Sequence, residues 1–424
     1  MTELLRIQEP ASAPKPPELA PSWRAFLELG FRPMYLMGCL WGMAGVLLWV
    51  WLPQMLMAGR MPGVMWHAHE MMWGFAATIA SGFLLTAGSN WTGITTLQGR
   101  WLAALCGLWM AARIGFLVPG AAADAAFAIA ALCELGFFAG VAAALTRAIV
   151  KSRNRRNYGV PVLALGLGVF DALYLYTVWR SGDYALLMGY LMAALLCMAV
   201  IALLIARRVI PFFASRAVAG LELPMHTRSG QWQIAAGVLA IGCLLAGWAA
   251  GAALFLVAAG LLALWQVLVW RPWAVRRVPL LWILYAGHAA MGAGLLVAAA
   301  YVLGLGWLAR TAWPAHAIGA GGFATLIIGM VTRTALGHLG RPLHADRSMV
   351  TAFVLVMIAA GLRLAALLPT AATLPMLHAA AAAWTVAFGL YLWRFFPLMI
   401  RPRPDRRPQR MPWAWRRGST GVER

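Results

Sequence analysis

Twelve successive stretches, each about 20 apolar residues long, run along this 424-residue chain. They exclude an ordinary water-soluble fold. Crossing about 30 Å of hydrocarbon takes roughly 20 residues of helix, because a backbone amide without a partner is too costly in lipid. The stretches lie near 33–52, 66–88, 98–117, 121–146, 158–179, 184–206, 231–250, 251–270, 280–303, 314–332, 350–368 and 374–396. The weakest division is inside 231–270, where only the small residues from Gly247 to Ala253 separate two helices. Charged residues make up 11% of the chain, against roughly a quarter in a soluble domain. The expected fold is all-α, a polytopic membrane protein of about twelve transmembrane helices over 31–400. Residues 1–30 and 401–424, rich in proline and arginine, read as cytoplasmic tails. Pro10, Pro14, Pro16, Pro17 and Pro21 leave no room for the apolar core of a cleaved signal peptide.

The net charge of +21 does not mark a nucleic-acid-binding protein, because the arginines sit between apolar runs and form no basic face on a soluble domain. They fix an orientation instead. With both ends inside, 29 of the 34 Lys and Arg residues fall in cytoplasmic segments; only Arg60, Arg180 and Arg310 lie in outer loops, and Arg113 and Arg363 within spans. Merging 231–270 into one span would put the nine-arginine C-terminal tail outside, against the positive-inside rule. Membrane lipids are the expected partners. Tryptophans 51, 66, 91, 101, 179, 273, 307 and 313 mark span ends as interfacial anchors. Gly38 with Gly42, and Gly247 with Gly251, have the spacing of close helix packing. Cys39, Cys106, Cys133, Cys197 and Cys243 lie in apolar segments with no paired motif, which argues against disulfides, a zinc ribbon and covalently attached haem.

An imidazole inside hydrocarbon is expensive unless paired, and it is the commonest metal ligand. Of the eight histidines, His67, His69 and His316 open the second and tenth spans at their outer ends; His378 lies about one turn into the twelfth, and His288 sits within the ninth. His226, His338 and His344 fall in cytoplasmic loops. His67 and His69 are two residues apart, about 200° around a helix, so they do not face one metal together unless the helix begins between them; either one ligates while the other supports it, or they serve two centres. Glu70 is placed to bond the second nitrogen of a ligating imidazole, and Met71 and Met72 add thioethers suited to Cu(I). Arg113 and Asp124 flank a short outer turn symmetrically, the spacing of a structural ion pair. Glu134 and Asp171 lie mid-span without a partner that the sequence names, able to relay protons or simply to hydrogen-bond.

Several motifs resemble the NnrS family of bacterial membrane proteins. They are Phe31-Arg32-Pro33; Trp66-His67-Ala68-His69-Glu70-Met71 leading to Gly82-Phe83-Leu84-Leu85-Thr86-Ala87 and Asn90-Trp91-Thr92-Gly93; and Arg208-Val209-Ile210-Pro211-Phe212-Phe213. Further on stand His316-Ala317 with Gly319, Met330-Val331-Thr332-Arg333, and Ala335-Leu336-Gly337-His338-Leu339-Gly340-Arg341-Pro342-Leu343. Order and spacing agree over residues 31 to about 345. The resemblance implies a twelve-span protein with b-type haem and copper, tied to denitrification and resistance to nitric oxide, with a possible nitric-oxide-related redox activity. By position it makes His67, His69, His316 and Glu70 candidate metal ligands, and His67, His69, His316 and His288 candidate haem-binding residues. Arg333, His338 and Arg341 are motif positions without an assigned role. This chain departs from the family in the ninth span, where a family histidine is replaced by Tyr285 and the following aromatic by His288; positions i and i+3 share a helix face, so the imidazole is shifted by one turn. Two other functions fit a twelve-span chain: transport of a metal ion or small solute, motivated by Glu134 and Asp171, and a metal-based sensor or assembly protein. Transporters commonly carry two similar halves; no repeat relates 31–210 to 231–400.

Overall fold

The structure is a computed structural model that describes residues 20–224 and 227–404. Among these it is all-helical, with one long helix for each of the twelve apolar stretches. They are α1 (Phe31–Trp51), α2 (Val64–Thr92), α3 (Gly99–Gly115), α4 (Ala123–Lys151), α5 (Gly159–Arg180), α6 (Tyr184–Ala217), α7 (Thr227–Leu245), α8 (Ala249–Val269), α9 (Pro279–Val302), α10 (Ala312–His338), α11 (Arg347–Ala365) and α12 (Thr373–Met399). Ten are long and apolar enough to cross a membrane. The other two are α3, which is only 17 residues long, and α7, whose first turns carry Arg228, Gln231 and Gln233. His226 and the greater part of both predicted tails, 1–19 and 405–424, lie outside the described residues.

The weak division predicted within 231–270 is a real turn. Gly247 adopts φ +71°, a left-handed conformation that ends α7 and that only glycine takes without strain. Gly247 and Gly251 therefore form no helix-packing seam; a Cβ on Gly251 would meet the ring of nearby Trp248. Gly38 and Gly42 do let α1 close on α2, since a Cβ at either would collide with Ile79 or Phe75.

Among the helix pairs, α4 packs on α5, α8 on α9, and α12 on α1. α2, α6 and α10 touch one another, and they are the three most deeply buried of the membrane-length helices. The ends of the described chain meet, with the Ser22 N–H donating to Ile400 O (2.8 Å) and Arg32 donating to the carbonyls of Met399 and Arg401. On this same face Asp346 caps α11 through the Met349 N–H and accepts from Arg394 of α12 at 2.8 Å. Partial burial raises the Asp346 pKa, but the Ser348 hydroxyl, Arg394 and the cap outweigh it and hold the carboxyl at about 2.

Two central helices share an irregularity. α2 is π-helical over Glu70–Ala77 and α10 over Ala317–Ala324, each switch coming directly after a histidine, His69 or His316. Such widened turns are rare and concentrate at functional sites. The two helices also match at one constant offset: Trp66 with Trp313, Ala68 with Ala315, His69 with His316, Gly74 with Gly321, Ala77 with Ala324, Thr78 with Thr325, Gly82 with Gly329. Comparing one half of the chain with the other misses this match, because it pairs the second helix with the tenth. It also corrects the reading of two tryptophans. Trp66 and Trp313 are buried at the start of these helices rather than standing at an interface, whereas Trp51, Trp101, Trp179, Trp273 and Trp307 are exposed as expected.

Candidate functional site

The N-terminal ends of α2 and α10 build two separate polar groups on opposite sides of α2. On one side His67 lies beside His316: the ring centroids are 6.3 Å apart and the planes 19° apart, with Trp49 stacked on the His67 ring at 5.1 Å. His316 donates its Nδ1–H to the Ala312 carbonyl at 2.7 Å. That bond fixes the tautomer and leaves Nε2 with a free lone pair. The Nδ1 of His67 is buried without a hydrogen-bond partner. Both rings line a cavity of about 210 Å³, with Met71, Met72, Phe323 and Trp384 among its walls and Arg363 as its one charged lining residue. The two π-helical turns contact each other beside it.

His69 turns the other way, as the i, i+2 spacing requires. Its Nδ1 lies 2.9 Å from Glu70 Oε1, and its Nε2 lies 3.0 Å from Asp171 Oδ1 and 3.4 Å from Glu134 Oε2. Arg113 of α3 pairs with Glu70 at 2.5 Å and with Glu134 of α4. The indole N–H of Trp41 donates to the same Glu70 oxygen at 2.5 Å. All five charged or titratable members are essentially inaccessible, and Trp73, Phe116 and Tyr174 close around the imidazole. Gly74 makes room for this network, because a Cβ there would lie 2.5 Å from Arg113 Nη1 and 2.6 Å from Glu70 Oε2.

Several expectations change in this light. Arg113 does not pair with Asp124, which instead meets Arg60 at 3.5 Å near the chain surface. The short turn puts the two residues at neighbouring helix ends, but Arg113 points inward, where three carboxylates outbid one exposed aspartate. Glu134 and Asp171 acquire the partners that the sequence could not name. Glu70 does bond an imidazole, that of the adjacent His69. The structure brings His67 together with His316, and His69 with Glu70, and keeps the two groups apart. His288 joins neither: its Nε2 lies 3.0 Å from Gln266 Oε1 of α8 and its ring packs on Trp270. His378 sits beside Trp51.

The remaining motif residues converge at the opposite end of the bundle. Asn90, Trp91, Arg208, Phe213, Thr334 and His338, from α2, α6 and α10, line a cavity of about 540 Å³, and Arg333 lies over the Phe213 ring at 3.9 Å. Sequence signals for the two groups at the N-terminal ends of α2 and α10 were unequal. His67 and His316 stood out as imidazoles at span ends, whereas the grouping of Arg113, Glu134 and Asp171 depends on rotation and depth of separate helices. The only hint was that each is an ionisable residue inside a span.

No curated protein matches the chain. The profile of the family described as NnrS protein matches residues 25–403, which includes every helix described above, and the chain therefore belongs to the NnrS family.

Proposed function

We propose that this protein spans the bacterial inner membrane twelve times with both ends in the cytoplasm, and that it holds b-type haem and copper to bind or process nitric oxide. The observation that carries the cofactor reading is the pairing of His67 with His316 across an apolar cavity. His67 and His316 would hold such a metal between two helices, since their near-parallel rings stand 6.3 Å apart on the wall of one apolar cavity. The Ala312 carbonyl orients His316 as an outer partner orients a metal-bound histidine. The residues present thus fit a metal held between two helices. When bound, haem iron supplies redox chemistry and an affinity for diatomic ligands.

The chain's own part is to position and exclude. Trp49 fixes the plane of His67, Phe323 and Trp384 give the cavity apolar walls, and Arg363 is placed to meet an anionic edge of whatever enters. Met71 and Met72 offer soft sulfur beside the histidine pair, a setting for copper in its reduced state. Transport loses its motivation, because Glu134 and Asp171 are engaged with Arg113 and His69 rather than lining a path.

Haem content by pyridine haemochrome and metal content of purified protein test the reading. His67→Ala and His316→Ala are each expected to lower haem at least tenfold, with His288→Ala and His378→Ala near wild type. Wild-type protein reconstituted with haem and copper yet holding neither, or a fully loaded double variant, overturns it. The orientation is supported by the arginine partition and by the meeting of both ends on one face. Reporter fusions after residues 182 and 305 should be active outside and those after 157 and 345 inside; the reverse pattern defeats this topology.

A further inference from the structure

The His67–His316 pair leaves the second buried group, between α2, α3, α4 and α5, without a role. It holds three carboxylates, Glu70, Glu134 and Asp171, against one arginine. The imidazole between them is constrained by its neighbours. Each ring nitrogen meets a carboxylate: Glu70 Oε1 lies 2.9 Å from Nδ1, and Asp171 Oδ1 and Glu134 Oε2 lie 3.0 and 3.4 Å from Nε2. A neutral imidazole carries one N–H, so one of its two nitrogens then turns a lone pair toward carboxylate oxygen, which is repulsive unless a cation or a proton lies between them. With the carboxylates ionised, Arg113 balances only one of three negative charges.

Independent of the charge count, donor atoms here lack partners. Asp171 is fully buried, yet its Oδ2 has no hydrogen bond. Glu134, 1% exposed, is paired with Arg113 through Oε1, while its Oε2 has no hydrogen bond. His69, Glu134 and Asp171 each turn a donor atom into one common space. A tetrahedral ion with bonds of about 2.0–2.2 Å spaces its donors about 3.3–3.6 Å apart, close to the 3.0 and 3.4 Å from His69 Nε2 to Asp171 Oδ1 and Glu134 Oε2. Glu70 bonded to the outer nitrogen of the imidazole is the arrangement that orients a ligating histidine and raises its basicity.

We propose that His69, Glu134 and Asp171 form a binding site for one divalent transition-metal cation, with Glu70 positioning His69 and Arg113 balancing the charge that the cation does not. One imidazole and two carboxylates suit Zn²⁺, Fe²⁺ or Mn²⁺, and no thiolate or thioether is present to favour Cu(I). The site is distinct from the His67–His316 pair and stands or falls separately from it.

The test uses the full-length purified protein, washed with chelator and titrated with Co²⁺ as a spectroscopic probe and with Zn²⁺ in competition. About one equivalent of Co²⁺ should bind with visible d–d absorption, and Zn²⁺ should displace it. Asp171→Asn and Glu134→Gln, made singly so that Arg113 keeps an ionised partner, should each weaken Co²⁺ binding at least tenfold with unchanged elution as a folded species. The His67→Ala, His316→Ala variant should bind Co²⁺ at this site like wild type, so haem content measured on the same samples reports on the other pair alone. Wild-type protein that takes up no more Co²⁺ or Zn²⁺ than Asp171→Asn, or single variants that are folded and bind both ions undiminished, overturn the site. Thermal unfolding of Asp171→Asn at or above the wild-type temperature together with no metal uptake by wild type would assign the missing positive charge to protons instead.

Discussion

Replacing Arg113 by leucine is expected to remove most folded protein from the membrane. The guanidinium is buried among Glu70 and Glu134, with its plane near the rings of Trp109 and Phe116. It is the one permanent positive charge in that group. Truncating one member of a buried ion pair typically costs 3–5 kcal/mol, because the other charge is left uncompensated, and here two carboxylates lose their partner at once. Leucine fills part of the volume, so the loss is electrostatic rather than a cavity effect. Arg113→Lys keeps the charge but not the fork that reaches two carboxylates, and an intermediate loss is expected. Glu70→Gln combined with Arg113→Leu should recover part of the stability, since neighbouring charges couple strongly in double-mutant cycles. Membrane accumulation and thermal unfolding in detergent measure these effects. An Arg113→Leu protein that accumulates and unfolds like wild type would show that the carboxylates are held by protons alone.

Substituting Gly260 by leucine should separate α8 from α9. A Cβ at Gly260 would stand 2.8 Å from the Gly292 carbonyl oxygen, and one at Gly292 would stand 2.9 Å from the Gly260 carbonyl. These are backbone atoms, so no rotamer change relieves the clash and the helices must move apart. Overpacking a well-filled site costs about 1–3 kcal/mol for extra methylenes that side chains can absorb; a backbone collision costs more. Close approach of small residues is also what holds helices together in lipid, where there is little hydrophobic drive for association. The same change at Gly242, whose Cβ position is open, should alter stability by no more than about 1 kcal/mol, in the direction of better helix propensity. Thermal unfolding of the two variants side by side checks this. Equal unfolding temperatures would mean that the α8–α9 contact contributes little.

That the chain is a bundle of membrane-length helices was legible in the sequence, because it follows from a one-dimensional property, the length of apolar stretches against the thickness of hydrocarbon; ten of the twelve expected spans form helices long and apolar enough to cross. Even the least certain boundary, at Gly247, falls at a real turn. The opposed directions of His67 and His69 were also readable, since two residues span about 200° of a helix whatever surrounds it. Which residues meet across helices was not. Symmetric placement around an outer turn suggested Arg113 with Asp124, but rotation of α3 directs the arginine inward to Glu70 and Glu134, and Asp124 stays near the surface with Arg60. Trp66 and Trp313 sit at span ends in sequence and inside the bundle in space, because their helices are the central ones.

The outer metal-binding region named from sequence alone therefore divides into two. Composition and spacing determined that this chain lives in a membrane as a bundle of helices, with imidazoles near one face. Only the tertiary structure decided that His67 is matched with His316 across an apolar cavity while His69 gathers Glu70, Glu134 and Asp171. The physical reason is that a residue's depth and direction are set by its own helix, whereas its partner is set by the register and rotation of a different helix, fixed by packing contacts such as those of Gly42 and Gly74 that no single segment encodes.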